Sequence, residues 1–298
     1  MHPVEIAFPI VPVVLQGDGV SLHGLTCGPP EGELVVLLHG FPEHSASWRR
    51  YLPALAARGY RVVAPDQRGY GLSSKPSGVM AYGLDRLTAD IVHVMADLGY
   101  RQAHIVGHDW GGVVAWWLAH TRADAVRTAS ILNVPHPYAM RRALRFGSLS
   151  QMVRSWYILF FQIPGLPELL LARHECGALR RSLLSTSMPG TFDEAFLDEL
   201  QATWQQPGAL RGMVGWYRAI FRAVPEHQEK VRIDVPLLLI WGERDHALGT
   251  ELIAPSMQLT TRGRVERFPD ATHWVNHEKV VEVTRLLLEQ FTGQADVH

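Results

Sequence analysis

Asp109 stands at the centre of Gly107-His108-Asp109-Trp110-Gly111-Gly112, between an apolar run, His104-Ile105-Val106, and a helix-like stretch from Val113 to Ala119. Small residues two positions either side of a reactive residue mark a sharp strand-to-helix turn. Such a turn holds its central side chain in a strained backbone, exposed at the end of a sheet. Only small neighbours such as Gly107 and Gly111 let the chain bend that tightly. The usual occupant of the centre is Ser. A carboxylate there implies attack on carbon and an ester on the protein itself.

Further groups on the same chain complete that chemistry. His39-Gly40-Phe41-Pro42 follows an apolar strand and presents the backbone N–H of Phe41. Together with the N–H of Trp110 it makes a two-donor oxyanion hole. His39, Gly40 and Pro42 shape the turn, and Pro42 is expected to be cis, since tight turns are where such bonds occur. An acid and a histidine should then follow in that order. Asp245, in Gly242-Glu243-Arg244-Asp245 after an apolar strand, is the expected acid, and Glu243 reads as a turn residue. Asn133, at the other place where an acid could stand, cannot carry the charge. His273 is the expected base, with Asp245 orienting it and stabilising its cation. His277, four residues on, looks like the second half of a His-x-x-x-His pair. No His-Glu-x-x-His motif or clustered cysteine accompanies it, so neither a metal nor an organic cofactor is expected.

The elements that must position these groups alternate. Val11 to Leu15 and Val20 to Leu25 flank Gly17-Asp18-Gly19 and read as a hairpin. Leu34 to Leu38 is the continuous apolar run of a strand buried on both faces. Helical Trp48 to Ala57, strand Arg61 to Ala64, amphipathic Leu84 to Leu98, strand His104 to Val106, helix Val113 to His120 and strand Thr128 to Leu132 follow. That order predicts an α/β fold, a mostly parallel central sheet flanked by helices. From 136 to 230 the pattern is all helical: Arg141 to Leu144, Ser150 to Phe161, Pro167 to Arg173, Phe192 to Trp204 and Gly208 to Arg222. Strands return at Pro236 to Trp241 and Arg264 to Phe268, and a helix spans Val280 to Phe291. The prediction is a discontinuous core, 1–135 with 231–298, and an inserted helical cap, 136–230.

Composition limits the partners. The 298 residues carry 28 Lys+Arg against 29 Asp+Glu, with no basic stripe for nucleic acid. No stretch approaches the roughly 20 apolar residues of a membrane span. The first residues lack the layout of a signal peptide, and Cys27 and Cys176 read as free thiols. A cytoplasmic protein, monomer or homodimer, is expected.

The motifs resemble those of the epoxide hydrolases with the α/β-hydrolase fold, from about Val20 to Phe291. The resemblance rests on His39 to Glu43, Asp66-Gln67-Arg68-Gly69-Tyr70-Gly71, Gly107 to Gly112, Asp245 and His273. It is most specific in the cap. Tyr157, four residues before Phe161-Gln162-Ile163-Pro164, looks like that family's first cap tyrosine, and Tyr217 in Gly215-Trp216-Tyr217-Arg218 like its second. The resemblance implies a lipophilic epoxide and water as substrates, with Tyr157 and Tyr217 holding and protonating the epoxide oxygen. Asp66-x-Arg-Gly-x-Gly is expected to be structural, with Arg68 bonding carbonyls or carboxylates. Trp110, Trp156, Phe160, Phe161 and Trp216, with Trp204, suggest an aromatic pocket. Two alternatives share parts of this pattern: a haloalkane dehalogenase using the same Asp109, and a non-catalytic binding protein on a hydrolase scaffold.

Overall fold

The computed structural model describes residues 8–146, 149–223 and 232–293. Eight strands among the described residues form one sheet in the order β1-β2-β4-β3-β5-β6-β7-β8. They are β1 Val11–Gln16, β2 Ser21–Cys27, β3 Leu34–Leu38, β4 Arg61–Pro65, β5 Ala103–His108, β6 Val126–Leu132, β7 Leu237–Gly242 and β8 Gly263–Phe268. β1, β2 and β4 pair antiparallel; every other pairing is parallel. The α/β fold anticipated from the alternation is the one observed.

Strand β3 shows how the sheet builds two cores. Successive side chains point to opposite faces. Leu34, Val36 and Leu38 join one cluster, and Val35 and Leu37 the other. The first face is covered by α2 Leu84–Asp97 and α3 Trp110–Thr121, the second by α1 Leu52–Ala56 and, far along the chain, Val283, Leu286 and Leu287. Helix α2 turns Leu87, Ile91, Val94 and Met95 inward at helical spacing.

Between β6 and β7 the described regular elements are helices joined by turns, apart from a single bridge of Ile233 to Thr260. The elements there are α4 Pro137–Phe146, α5 Leu149–Arg154, α6 Trp156–Phe160, α7 Leu166–Thr186, α8 Glu194–Trp204 and α9 Ala209–Arg222. Three expectations need correction. The stretch Ser150 to Phe161 is two helices, broken at Ser155. The helix expected over Pro167 to Arg173 does stop there, with Arg173 extended and His174, Glu175 and Cys176 at positive φ of 50°, 56° and 65°, but a further helical stretch that was not expected follows to Thr186. Of the helix expected over Trp48 to Ala57 only Leu52–Ala56 is α-helical, and Trp48 ends a 3-10 turn, Ser45–Trp48. The expected boundary at 230/231 lies outside the described residues. After β7 come α10 Ile253–Met257, β8, α11 Val275–Glu278 and α12 Val280–Thr292.

The loop after β4 is pinned from beneath. Arg68 donates through Nε to Asp90 Oδ2 (2.6 Å) and through Nη2 to Asp90 Oδ1 (2.5 Å), and both side chains are buried. Its remaining donors reach the carbonyls of Ala81 and Asp18. Removing one partner of a buried pair strands the other charge. Arg68→Met should therefore cost about 3–5 kcal/mol in urea unfolding, and an unchanged midpoint would mean that Asp90 finds another partner.

Candidate active site

The turn after β5 is as sharp as the glycines suggested. Asp109 sits at φ 49°, ψ −121°, where a side chain is strained. A Cβ on Gly107 would lie 2.2 Å from the carbonyl oxygen of Gly111, and one on Gly111 would lie 2.1 Å from that of Leu38. No larger residue fits either place. β3 and β5 are adjacent, with Leu38 opposite Gly107, so the turn after β3 lands beside Asp109. The Phe41–Pro42 bond there is cis, and the Phe41 N–H donates to Asp109 Oδ1 at 2.8 Å. Trp110 opens α3 as its first residue.

His273 bridges two carboxylates. Its Nδ1 meets Asp245 Oδ2 at 2.7 Å and its Nε2 lies 3.6 Å from Asp109 Oδ2. Burial works against the charged ring, yet Asp245 and Asp109 together raise its pKa to about 10. Burial likewise pushes both aspartates up, and His273 more than compensates, holding each below the usual carboxylate range. The two carboxylates thus favour the protonated ring over the neutral one.

Asp245 is itself clamped. Its Oδ1 accepts from the N–H groups of Ala247 and Leu248, and its Oδ2 from Asn133 Nδ2 at 2.9 Å. Asn133 (φ 45°) also accepts from Gly242 N–H at 2.7 Å and donates to the Gly242 carbonyl. The sequence discounted this residue because it carries no charge. Neutrality is what suits it here, since a carboxylate in its place would repel Asp245.

A cavity of about 540 Å³ opens over Asp109, lined by Trp110, Tyr157, Trp216 and Tyr217 among mainly apolar side chains. The two tyrosine rings meet edge to face at 5.8 Å. Burial, and then the Asp109 carboxylate, push both phenols well above their ordinary pKa. Their neighbouring motifs explain each other. Gln162 Nε2 donates to the Tyr217 carbonyl at 2.9 Å. Arg218 donates to the carbonyls of Phe161 and Ile163 and forms a bidentate ion pair with the Glu168 carboxylate. These contacts lock α9 to the end of α6, and with it one tyrosine to the other.

Comparisons with known proteins show the family. A family profile for the α/β-hydrolase fold matches residues 33–280. The AB hydrolase superfamily protein YfhM of Bacillus subtilis is 36% identical over 93% of this chain and 96% of its own length. Epoxide hydrolase A of Mycobacterium tuberculosis is 34% identical over 94% of this chain and 97% of its own length. The crystal structure of epoxide hydrolase A from Mycobacterium thermoresistibile matches with a TM-score of 0.85 at 30% identity, covering 96% of this chain and 99% of that one. The chain belongs to the epoxide hydrolase family of the α/β-hydrolase fold.

Not every expected residue of this hydrolase reaches the cavity. Trp156 is 63% exposed and points away from it, because α6 turns the adjacent Tyr157 and Ile158 inward instead. Phe160 and Phe161 are not cavity-lining either: Phe161 packs behind Tyr217 at 4.7 Å and Phe160 against Phe161. Trp204 is buried and spends its indole N–H on the Pro42 carbonyl. His277 is engaged by Glu43. His39 accepts the Gln67 N–H at Nε2, bracing the turn that carries Phe41. Cys27 and Cys176 are free. No helix among the described residues is long and apolar enough to cross a membrane.

Asn133→Ala would leave the buried peptide of Gly242 unpaired and Asp245 short of one donor, at about 1–3 kcal/mol for each stranded group. Asn133→Asp should be worse, because two carboxylates would then meet. Urea unfolding of both variants checks the order.

Proposed function

We propose that this protein hydrolyses lipophilic epoxides to vicinal diols through an ester on Asp109. The observation that carries the reading is the pair of phenols, Tyr157 and Tyr217, lining the cavity that also contains Asp109. Opening an epoxide produces an alkoxide, a poor leaving group that must be protonated or strongly hydrogen-bonded as its C–O bond breaks. Phenols with raised pKa values stay protonated and serve as the donors. The helical insertion is, in this reading, a cap that brings them over the core.

In the first step an Asp109 oxygen attacks an epoxide carbon, the C–O bond breaks, and the oxygen takes a proton from a tyrosine. The carboxylate becomes an uncharged ester. That loss removes one of the two charges that hold the proton on His273, so the proton passes to the phenolate and the ring becomes a base. His273, steadied by Asp245, then draws a proton from water as the hydroxyl adds to the ester carbonyl of Asp109. The N–H groups of Phe41 and Trp110 receive the oxyanion. Collapse releases the diol, with the proton returned from His273 to the leaving oxygen.

The dehalogenase alternative needs two N–H donors for a halide; Trp110, in the cavity, could supply one, and the second would have to come from a tryptophan of the helical insertion. The Trp216 indole donates to the Arg68 carbonyl at 3.0 Å and the Trp204 indole to Pro42 at 2.6 Å. Trp156 faces outward. Those donors are spent elsewhere, which favours the epoxide. The apolar lining favours an aryl or long alkyl substituent over a small polar one.

Styrene oxide should yield the diol and a bromoalkane should release no bromide; bromide without diol would reverse the assignment. His273→Gln should accumulate the ester, seen as a mass increment on the intact protein, while Asp109→Ala should show neither increment nor turnover. Single turnover in ¹⁸O-water should place unlabelled oxygen from Asp109 in the diol. Replacing both tyrosines by Phe should slow ester formation at least about 100-fold, the scale of a lost general acid.

A further inference from the structure

The cavity over Asp109 reaches solvent through a mouth of mixed character. Of the residues that line it, those exposed to solvent are Arg141 and Arg145 of α4 and Ile220 and Phe221 of α9. Two cations and two large apolar side chains therefore frame the opening. The Arg141 guanidinium rests over the Tyr138 ring, 4.9 Å from its centroid, a contact that holds its charge at the rim.

The same character continues beyond the rim. Helix α5 packs against α4, and α6 against α5. This pair of short helices turns Gln151, Ser155 and Ile158 inward. It leaves Val153, Trp156 and Leu159, three residues apart, 71%, 63% and 68% exposed. Arg154 stands exposed within that stripe. Between Asp124 and Glu168 the chain has no acidic residue, while the insertion places Arg141, Arg142, Arg145 and Arg154 there. Among the described residues Arg141, Arg142 and Arg154 form no ion pair. The whole chain has a net charge of −1, so this excess of cations is local. An exposed apolar stripe set among charges marks a surface that meets something.

Charge decides between the occupants. In a two-fold pair of copies the same patch meets itself, so arginines would face arginines with no acid in the segment to answer them. A bilayer surface that carries anionic lipid supplies the missing charge, and its headgroup layer suits both an indole and apolar side chains. We propose that α4, α5, α6 and the end of α9 form a docking face for an anionic lipid surface. Val153, Trp156 and Leu159 enter the headgroup layer, and the arginines pair with lipid phosphates. The contact is peripheral, since no helix among the described residues can cross a membrane. It turns the mouth of the cavity toward the phase in which lipophilic compounds collect. The docking goes beyond the reaction proposed above and does not depend on it.

The test is flotation of the full chain with vesicles of phosphatidylcholine, alone or mixed with phosphatidylglycerol. The mixed vesicles should carry the protein at about 0.1 M NaCl and release most of it at about 1 M, where the Debye length falls to about 3 Å. Arg141→Gln and Arg154→Gln should each weaken partitioning about fivefold. Trp156→Ala should weaken it at least about tenfold, and Trp156→Phe should keep part of the binding. These side chains are exposed, so urea midpoints should not move. Neither Arg154 nor Trp156 lines the cavity. Hydrolysis of dissolved styrene oxide should therefore be unchanged in Arg154→Gln and Trp156→Ala, while hydrolysis of a long-chain epoxide carried in mixed vesicles should fall. Equal binding to neutral and anionic vesicles, or binding indifferent to Trp156→Ala, overturns the proposal. So does the absence of vesicle binding. If the protein then sediments as a dimer that Trp156→Ala disperses, the face belongs to a second copy. If Arg141→Gln instead slows only dissolved epoxides that bear a carboxylate, the rim reads the substrate. A parent protein that binds anionic vesicles yet opens no epoxide would keep the docking and sink the epoxide reading.

Discussion

Three carboxylates lie buried among three imidazole rings, and the geometry around them follows from keeping those charges compensated. An ion withdrawn from water is tolerated only when partners replace its hydration. Asp109 has the Phe41 N–H and His273; Asp245 has two backbone N–H groups, Asn133 and His273; Glu43 has His277 and faces His108. These partners come from the turns after β3, β5, β6 and β7 and from the loop after β8. In a parallel sheet such turns collect at one edge. The sheet thus supplies, at a single edge, enough donors to hold charges that no one segment could satisfy alone.

The insertion adds what the sheet edge lacks, an acidic hydrogen that is not ionised at neutral pH. Burial ordinarily raises a phenol's pKa, and the nearby Asp109 charge pushes it the same way. The environment that keeps Asp109 ionised therefore keeps the tyrosines neutral, and the two requirements reinforce each other. Holding the phenols in place is a matter of backbone carbonyls. Gln162 and Arg218 bond the ends of α6 and α9 to one another, while Trp204 and Trp216 bond the insertion to Pro42 and Arg68 of the core.

What could be read in the sequence divides along the range of the interactions. The turn at Asp109 was legible because its cause is local: glycines two positions away, packed against backbone at contact distance. The order of strands was legible because doubly buried strands read as unbroken apolar runs. Asn133 and Glu43 were not, because their partners lie more than 100 and more than 230 positions away along the chain and neither residue sits in a repeating pattern. The outward face of α6 was not legible for a different reason. Trp156, Tyr157, Phe160 and Phe161 are all large and aromatic, so hydrophobic periodicity cannot tell which side of so short a helix is buried. Only packing against α9 settles it, and packing selects Tyr157.

The same scaffold could carry either of two leaving groups, and the fate of a few N–H groups separates them. A halide asks for donors that need not give up a proton; an epoxide oxygen asks for donors that can. Indole supplies the first and phenol the second. Here the indoles of Trp204 and Trp216 are committed to backbone carbonyls, where they fasten the insertion. The phenols of Tyr157 and Tyr217 line the cavity together with Asp109 and Trp110. In the proposed mechanism Trp204 and Trp216 fasten and the tyrosines donate, a division that a single exchange would not reverse, since either indole freed toward the cavity would also loosen the insertion that it fastens.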